Sequence, residues 1–118
     1  MSSLPKTRVI VTHRQVGFHR WPNAPAEVEY LASEHRHLFA FRVECSVKQA
    51  DREIEFHTLQ RALRVACTHW ENPRRAELMF GAMSCEMIAL ELYRMLPDFP
   101  VLAIEVWEDD ECGARVEW

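Results

Sequence analysis

Hydrophobic and polar positions alternate most regularly between His37 and Val47. His37, Phe39, Phe41, Val43, Cys45 and Val47 share one parity, and Arg42, Glu44 and Ser46 share the other. A period of two marks a half-buried β-strand. Arg8 to Phe18 is rich in β-branched, alternating positions and predicts an earlier strand. Between the two, Trp21 to Ser33 carries Pro22, Asn23 and Pro25 and reads as a connection, with a short helical turn over Ala26–Leu31. Lys48 to Arg52 is a polar turn. From Glu55 to about Thr68 the spacing changes, and Phe56, Leu59, Leu63 and Ala66 fall three and four apart, the spacing of a helix. A polar, proline-broken stretch follows, Glu71 to Glu77. A second helix is expected from about Ser84 to Leu96, with Ile88, Leu92, Met95 and Leu96 on one stripe. Ser84 suits its N-cap and Glu86 its first turn, where a carboxylate favours the helix dipole. Pro97 and Pro100 end it. Pro100–Trp107 is a third strand, Asp109–Gly113 an acidic turn and Ala114–Trp118 a short fourth strand. The order ββααββ describes one α+β domain over residues 1–118.

Composition narrows the class. The chain has 118 residues, 48% hydrophobic and 27% charged, enough for one core and not two. It has no apolar run of about 18 residues to cross a membrane as a helix. Met1 to Arg8 lacks the apolar centre of a signal peptide, so a cytoplasmic location is expected. The 14 basic and 18 acidic side chains leave a net charge of −4, which argues against nucleic-acid binding. Cys45, Cys67, Cys85 and Cys112 show no C-x-x-C spacing and are expected to be free, mostly buried thiols. With three glycines the chain has no glycine-rich phosphate loop.

Two features point to chemistry. Six histidines are present, and four of them (His13, His19, His35 and His37) lie in the first third of the chain. His35 and His37 are two apart, so an extended chain points both imidazoles to one side. Two such imidazoles are part of a three-histidine zinc site with an open fourth position, and His19, ending the preceding strand, can supply the third. The same spacing also fits two surface histidines at a strand start. Glu108 shares parity with Leu102, Ile104 and Val106 and continues the inward face of a strand. A buried carboxylate is costly without hydrogen bonds, and two N–H donors on a planar ring would satisfy it. Alternatively the strand ends at Val106 and Glu108 joins the acidic turn.

These residues resemble the 6-pyruvoyl-tetrahydropterin synthase and 6-carboxy-tetrahydropterin synthase family over nearly the whole chain, from Val9 to Trp118. Gly17-Phe18-His19-Arg20 resembles the stretch around the family's first zinc histidine, and His35-Arg36-His37 its H-G-H pair. Glu53-Ile54-Glu55-Phe56-His57-Thr58-Leu59 resembles its first helix opening. Met83-Ser84-Cys85-Glu86-Met87-Ile88-Ala89 resembles its P-T-x-E-x-x-A helix start, and Val106-Trp107-Glu108-Asp109 its last motif. The resemblance implies the T-fold (tunnelling fold), an antiparallel sheet with two helices on one face, assembled as a ring of subunits, often a hexamer. It implies Zn²⁺ on His19, His35 and His37, in a site between adjacent subunits. Glu108 would anchor the pyrimidine edge of a pterin or purine, with Glu86, Phe39 and Arg36 completing the ligand-binding set.

The departures bear on activity. The synthases carry a catalytic cysteine four residues before the H-x-H pair, where this chain has Leu31, which is neither acid, base nor nucleophile. Glu29 and Glu34 are nearby but out of register. The family's later Asp-His pair has no clean counterpart: His69, preceded by Thr68, is its only candidate, and the candidate bases are Glu29, Glu34, His57 and His69. Arg36 replaces the glycine between the zinc histidines. One expectation is therefore a binding protein for a purine- or pterin-like molecule. In one version it is a phage-type sponge that sequesters a nucleotide signal, with Arg20, Arg36 and Arg42 facing phosphates. The alternative is a zinc-dependent lyase of the synthase type on a pterin or 7-deazapurine precursor. A third is a partner-binding module, with Trp21, Trp70, Trp107 and Trp118 available for subunit interfaces.

Overall fold

The computed structural model describes residues 4–118. Two long strands, β1 (Arg8–His19) and β2 (His35–Ser46), pair antiparallel along their whole length, from Arg8 opposite Ser46 to His19 opposite His35. The connection between them contains a 3-10 segment, Ala26–Ala32, kinked at Val28. β2 continues the sheet to β4 (Val101–Glu108), which pairs with β5 (Cys112–Glu117). A further strand, β3 (Leu78–Gly81), lies on the other side of β1, so the sheet order is β3-β1-β2-β4-β5.

β3 corrects the ββααββ expectation. Its pairing with β1 is parallel, with Gly17 opposite Leu78 and Phe18 opposite Met79, so the sheet is mixed rather than antiparallel. Leu78 and Phe80 are buried while Met79 and Gly81 are exposed. Four residues are too few for that alternation to stand out in a sequence.

The helices cover one face. α1 (Phe56–Cys67) starts at Glu55, whose carboxylate accepts from the N–H groups of His57 and Thr58, and buries Leu59, Leu63, Ala66 and Cys67. Phe56 shares that stripe by spacing, but it lies on the first turn, beyond the core, and is 62% exposed. α2 (Cys85–Arg94) is capped by Ser84, whose Oγ accepts from Met87 N at 3.2 Å. It ends at Arg94, before the expected Leu96, which is buried just past the helix. α1 lies against β1 and α2 against β4 and β5, and in the core beneath them the odd-numbered row of β2 (Phe39, Phe41, Val43 and Cys45) is fully buried. Each large side chain removed from water in this way contributes about 1.5–3 kcal/mol. Cys45, Cys67 and Cys85 are free and buried, and Cys112 is free and exposed. Among the described residues no helix is long and apolar enough to cross a membrane.

The core-facing row of β2 runs out at one end of the sheet. Beyond Phe39 its next members are His37 and His35, and the facing position on β1 is His19.

Candidate metal centre

Strand register builds the centre. His19 is paired with His35 across the β1–β2 ladder, and His37 lies two residues along the same face. The three rings stand edge to face, with centroids 4.7, 5.2 and 4.9 Å apart. One ligand atom from each lies within 4.8 Å of the others. Phe39, 0% exposed, supports the group from beneath and meets His19 and His37 edge-on.

The hydrogen bonds fix the tautomers. His19 Nδ1 lies 2.9 Å from the Met83 carbonyl, and His35 Nδ1 lies 2.9 Å from the Ser33 carbonyl. A carbonyl only accepts, so both Nδ1 atoms carry the proton and donate it. His37 Nδ1 donates to Asp109 Oδ2 at 2.6 Å, and the other oxygen of Asp109 accepts from Leu38 N at 2.8 Å. All three rings therefore turn Nε2 inward. His37 Nε2 is buried and has no hydrogen-bond partner. An imidazole held through Nδ1–H by a carbonyl or carboxylate is the usual outer support of a metal-binding histidine. The donor set fits Zn²⁺, which takes imidazole nitrogens at about 2.0–2.1 Å.

Glu108 closes one side. Its Oε2 lies 3.0 Å from His19 Nε2 and its Oε1 lies 3.5 Å from His37 Nε2. Cys85 Sγ donates to the same Oε2 at 3.3 Å. The His19 hydrogen bond holds the Glu108 carboxyl below the usual carboxylate range, against the upward pull of desolvation. Burial draws the His19 imidazole down, but Glu108 and the Met83 carbonyl outweigh it and leave the group above its ordinary value. The hydrogen bonds from His37 and Leu38 lower Asp109. With Nδ1–H given to Met83, the His19–Glu108 contact is a hydrogen bond only when Nε2 is protonated too, and a cation held by the three Nε2 atoms would take that proton's place beside the carboxylate.

The centre opens into a cleft of about 660 Å³ between the 3-10 connection, the start of α2 and the start of β5. His19, His35, Glu86 and Glu108 line it, as do Arg20, Trp21, Leu31, Cys85 and Cys112. Other expected site residues lie elsewhere. Phe39 is beneath the triad and out of contact with the cleft. Arg36, between two inward histidines, alternates to the opposite face of β2, as does Arg42, which pairs with Glu44. Glu29 and Glu34 are exposed and do not line the cleft. His57 is exposed on the first turn of α1, and His69 lines a separate cleft between the ends of the two helices. The structure adds Asp109, Cys85 and the carbonyls of Ser33 and Met83. Asp109 and Cys85 both stand inside matched motifs, but no role was read for either. Nothing in a sequence marks a carbonyl.

No family model matches the sequence, and no curated protein matches it. Solved structures do. 6-Pyruvoyl tetrahydropterin synthase from Caenorhabditis elegans superposes with a TM-score of 0.71 at 10% identity, over 100% of this chain and 99% of that one. An uncharacterized protein from Wolinella succinogenes superposes with a TM-score of 0.67 at 12% identity, over 97% and 99%. This chain therefore has the fold of 6-pyruvoyl tetrahydropterin synthase, the T-fold expected from its motifs.

Proposed function

We propose that this chain, built on the fold of 6-pyruvoyl tetrahydropterin synthase, is a zinc-holding protein that binds a purine- or pterin-like small molecule. The observation that carries the reading is the convergence of three imidazoles whose Nδ1–H groups are already committed to protein acceptors. His19, His35 and His37 would hold the ion, leaving a position for an oxygen of the ligand. Zinc there supplies Lewis-acid polarisation of that oxygen.

The chain's own residues do the recognising. Glu108 keeps the Cys85 thiol as a partner even when zinc claims His19 Nε2. Glu86, exposed on the first turn of α2, has no hydrogen-bond or ion-pair partner among the described residues. Glu86 is thus the carboxylate free to receive two N–H donors from a planar ring, a charge-assisted bidentate pairing. This assigns to Glu86 the anchoring role expected of Glu108. Arg115 is tied to Glu44, Glu105 and Glu117, whereas Arg20 has no ion pair among the described residues. With Arg36 and Arg42 on the other face, the cleft offers one free cation, Arg20, to an anionic group among the described residues. This counts against a sequestered nucleotide with several phosphates unless a second copy adds charge.

Leu31 on the cleft wall favours binding over synthase chemistry, because it brings no thiol, acid or base. One observation favours catalysis as a second reading: the Glu108 carboxylate stands within 3.5 Å of two ligand nitrogens and is placed to take a proton beside the metal. Self-association into a ring, with hexamers as the expected size, is supported by unpaired strand edges. β3 covers β1 only from Gly17 to His19, and β5 ends the sheet.

Native mass spectrometry of freshly purified protein tests the reading, with a ring of chains, one zinc per chain and a retained small molecule expected. Calorimetry with guanine-, adenine- and pterin-containing compounds should show binding that Glu86→Gln abolishes while leaving zinc in place. No binding by any of them sinks the binding role. Turnover of dihydroneopterin triphosphate by the zinc-loaded protein would establish the second reading instead.

A further inference from the structure

We infer that Cys85 is a positioning residue: its thiol holds the Glu108 carboxylate against the His19–His37 side of the metal triad. The inference rests on the reading of the triad as a metal centre.

Donor atoms about 2.0–2.1 Å from a tetrahedral zinc stand about 3.3 Å from one another. The Glu108 oxygens lie 3.0 Å from His19 Nε2 and 3.5 Å from His37 Nε2, close to that spacing. The compact cluster of ligand atoms nevertheless contains the three histidines and not Glu108. The carboxylate therefore leans on one flank of the triad rather than capping it.

Three side chains lie against the Glu108 carboxylate: His19 and Cys85 at hydrogen-bond distance, and His37 Nε2 at 3.5 Å without a hydrogen bond. Two of these touch it through Nε2, the atom a metal would claim. With a metal on those nitrogens neither can donate to Glu108, and among the described residues Cys85 is the side-chain donor left to orient it. The thiol is suited to this. It is the first residue of α2, 7% exposed, and fixed by a helix whose N-cap is made by the adjacent Ser84. Burial, with Glu108 beside it, pushes the thiol well up, so it stays protonated and donates. The preceding residue but one, Met83, orients His19 through its carbonyl. The approach to α2 thus serves the centre twice, once through backbone and once through side chain.

Zinc affinity by chelator competition and the absorption spectrum of the Co²⁺-loaded protein test the assignment, on the full chain. Cys85→Ala should weaken zinc binding about tenfold, the low end for an outer support, and shift the Co²⁺ bands. Cys85→Ser keeps a donor and should restore both. In a Glu108→Gln background, Cys85→Ala should add nothing, because the thiol acts through that carboxylate. Thermal melts without metal check folding, and Cys85→Val, similar in shape and lacking a donor, replaces Cys85→Ala if that variant unfolds. Native affinity and bands in the donor-less variant overturn the inference. So does an effect that persists undiminished in Glu108→Gln. A native chain that binds no metal overturns the triad reading itself, and this inference with it.

Discussion

Asp109→Asn isolates the outer support of His37, one of the three proposed metal ligands. Asp109 has φ 54°, a left-handed conformation that asparagine tolerates and alanine does not, so the β4–β5 turn should survive. The wild-type carboxylate serves two donors with two oxygens, His37 Nδ1 at 2.6 Å and Leu38 N at 2.8 Å. An amide has one oxygen. The Leu38 N–H is fixed in the strand and keeps it, so His37 Nδ1–H then faces an NH₂ group. Two donors repel, and the imidazole is relieved by moving its proton to Nε2, the atom that should carry the lone pair for metal. Loss of such a partner costs about 10- to 100-fold in metal affinity, or about 1.4–2.7 kcal/mol. The Asp109 side chain is 44% exposed, so the loss of folding stability should stay at the low end, about 1 kcal/mol. Competition with a chromophoric zinc chelator at pH 7.5 measures the first effect, and urea melts of the metal-free protein the second. A zinc affinity within twofold of the native protein would refute the argument that Asp109 sets the His37 tautomer.

Gly17→Ala tests the close packing under the triad. A Cβ there would lie 2.9 Å from Phe39 Cδ2 and 3.0 Å from the Leu78 carbonyl oxygen, and neither a fully buried ring nor a backbone atom yields easily. A loss of about 1–3 kcal/mol is expected in urea unfolding, and a native midpoint would show that the β1–β3 junction has slack. Glu44→Gln tests the opposite face of the sheet. The Arg115 guanidinium holds the buried Glu44 carboxyl below its usual range. That stabilisation is complete above the unfolded value of about 4.3 and disappears as pH falls through the lower folded value. Stability should therefore fall less between about pH 5 and pH 3 in Glu44→Gln than in the native protein, measured by urea melts across that range. Equal slopes would place the acid sensitivity elsewhere.

The two long strands and the triad were legible because both are matters of parity. Period-two alternation located β2, and the same period put His35 and His37 on one face with His19 opposite. β3 was not legible, since four residues gain their strand character from pairing with Gly17 and Phe18, some sixty residues earlier in the chain. Phe56 fits the helical stripe by angle, yet the core does not extend to the first turn of α1. Arg36 was expected beside the ligand because it adjoins two site histidines in sequence, and alternation sends it to the other face. Glu108 was correctly read as inward-facing, but which partner it meets depended on Cys85 and His19, brought together by separate elements. The Nδ1 acceptors on Ser33 and Met83 are main-chain atoms, so residue identity carries no trace of them.

The Asp109 contact to His37 joins the imidazole to the turn between β4 and β5, and β5 is the open margin of the sheet. In the proposed zinc-holding ring, a chain that docked along that margin and shifted the turn would alter how His37 is held. By thermodynamic reciprocity, loading the metal must alter the affinity of the margin for its partner strand by the same factor. In the proposed zinc-holding ring, subunit association and zinc affinity should therefore change together, which zinc titrations at several protein concentrations would measure.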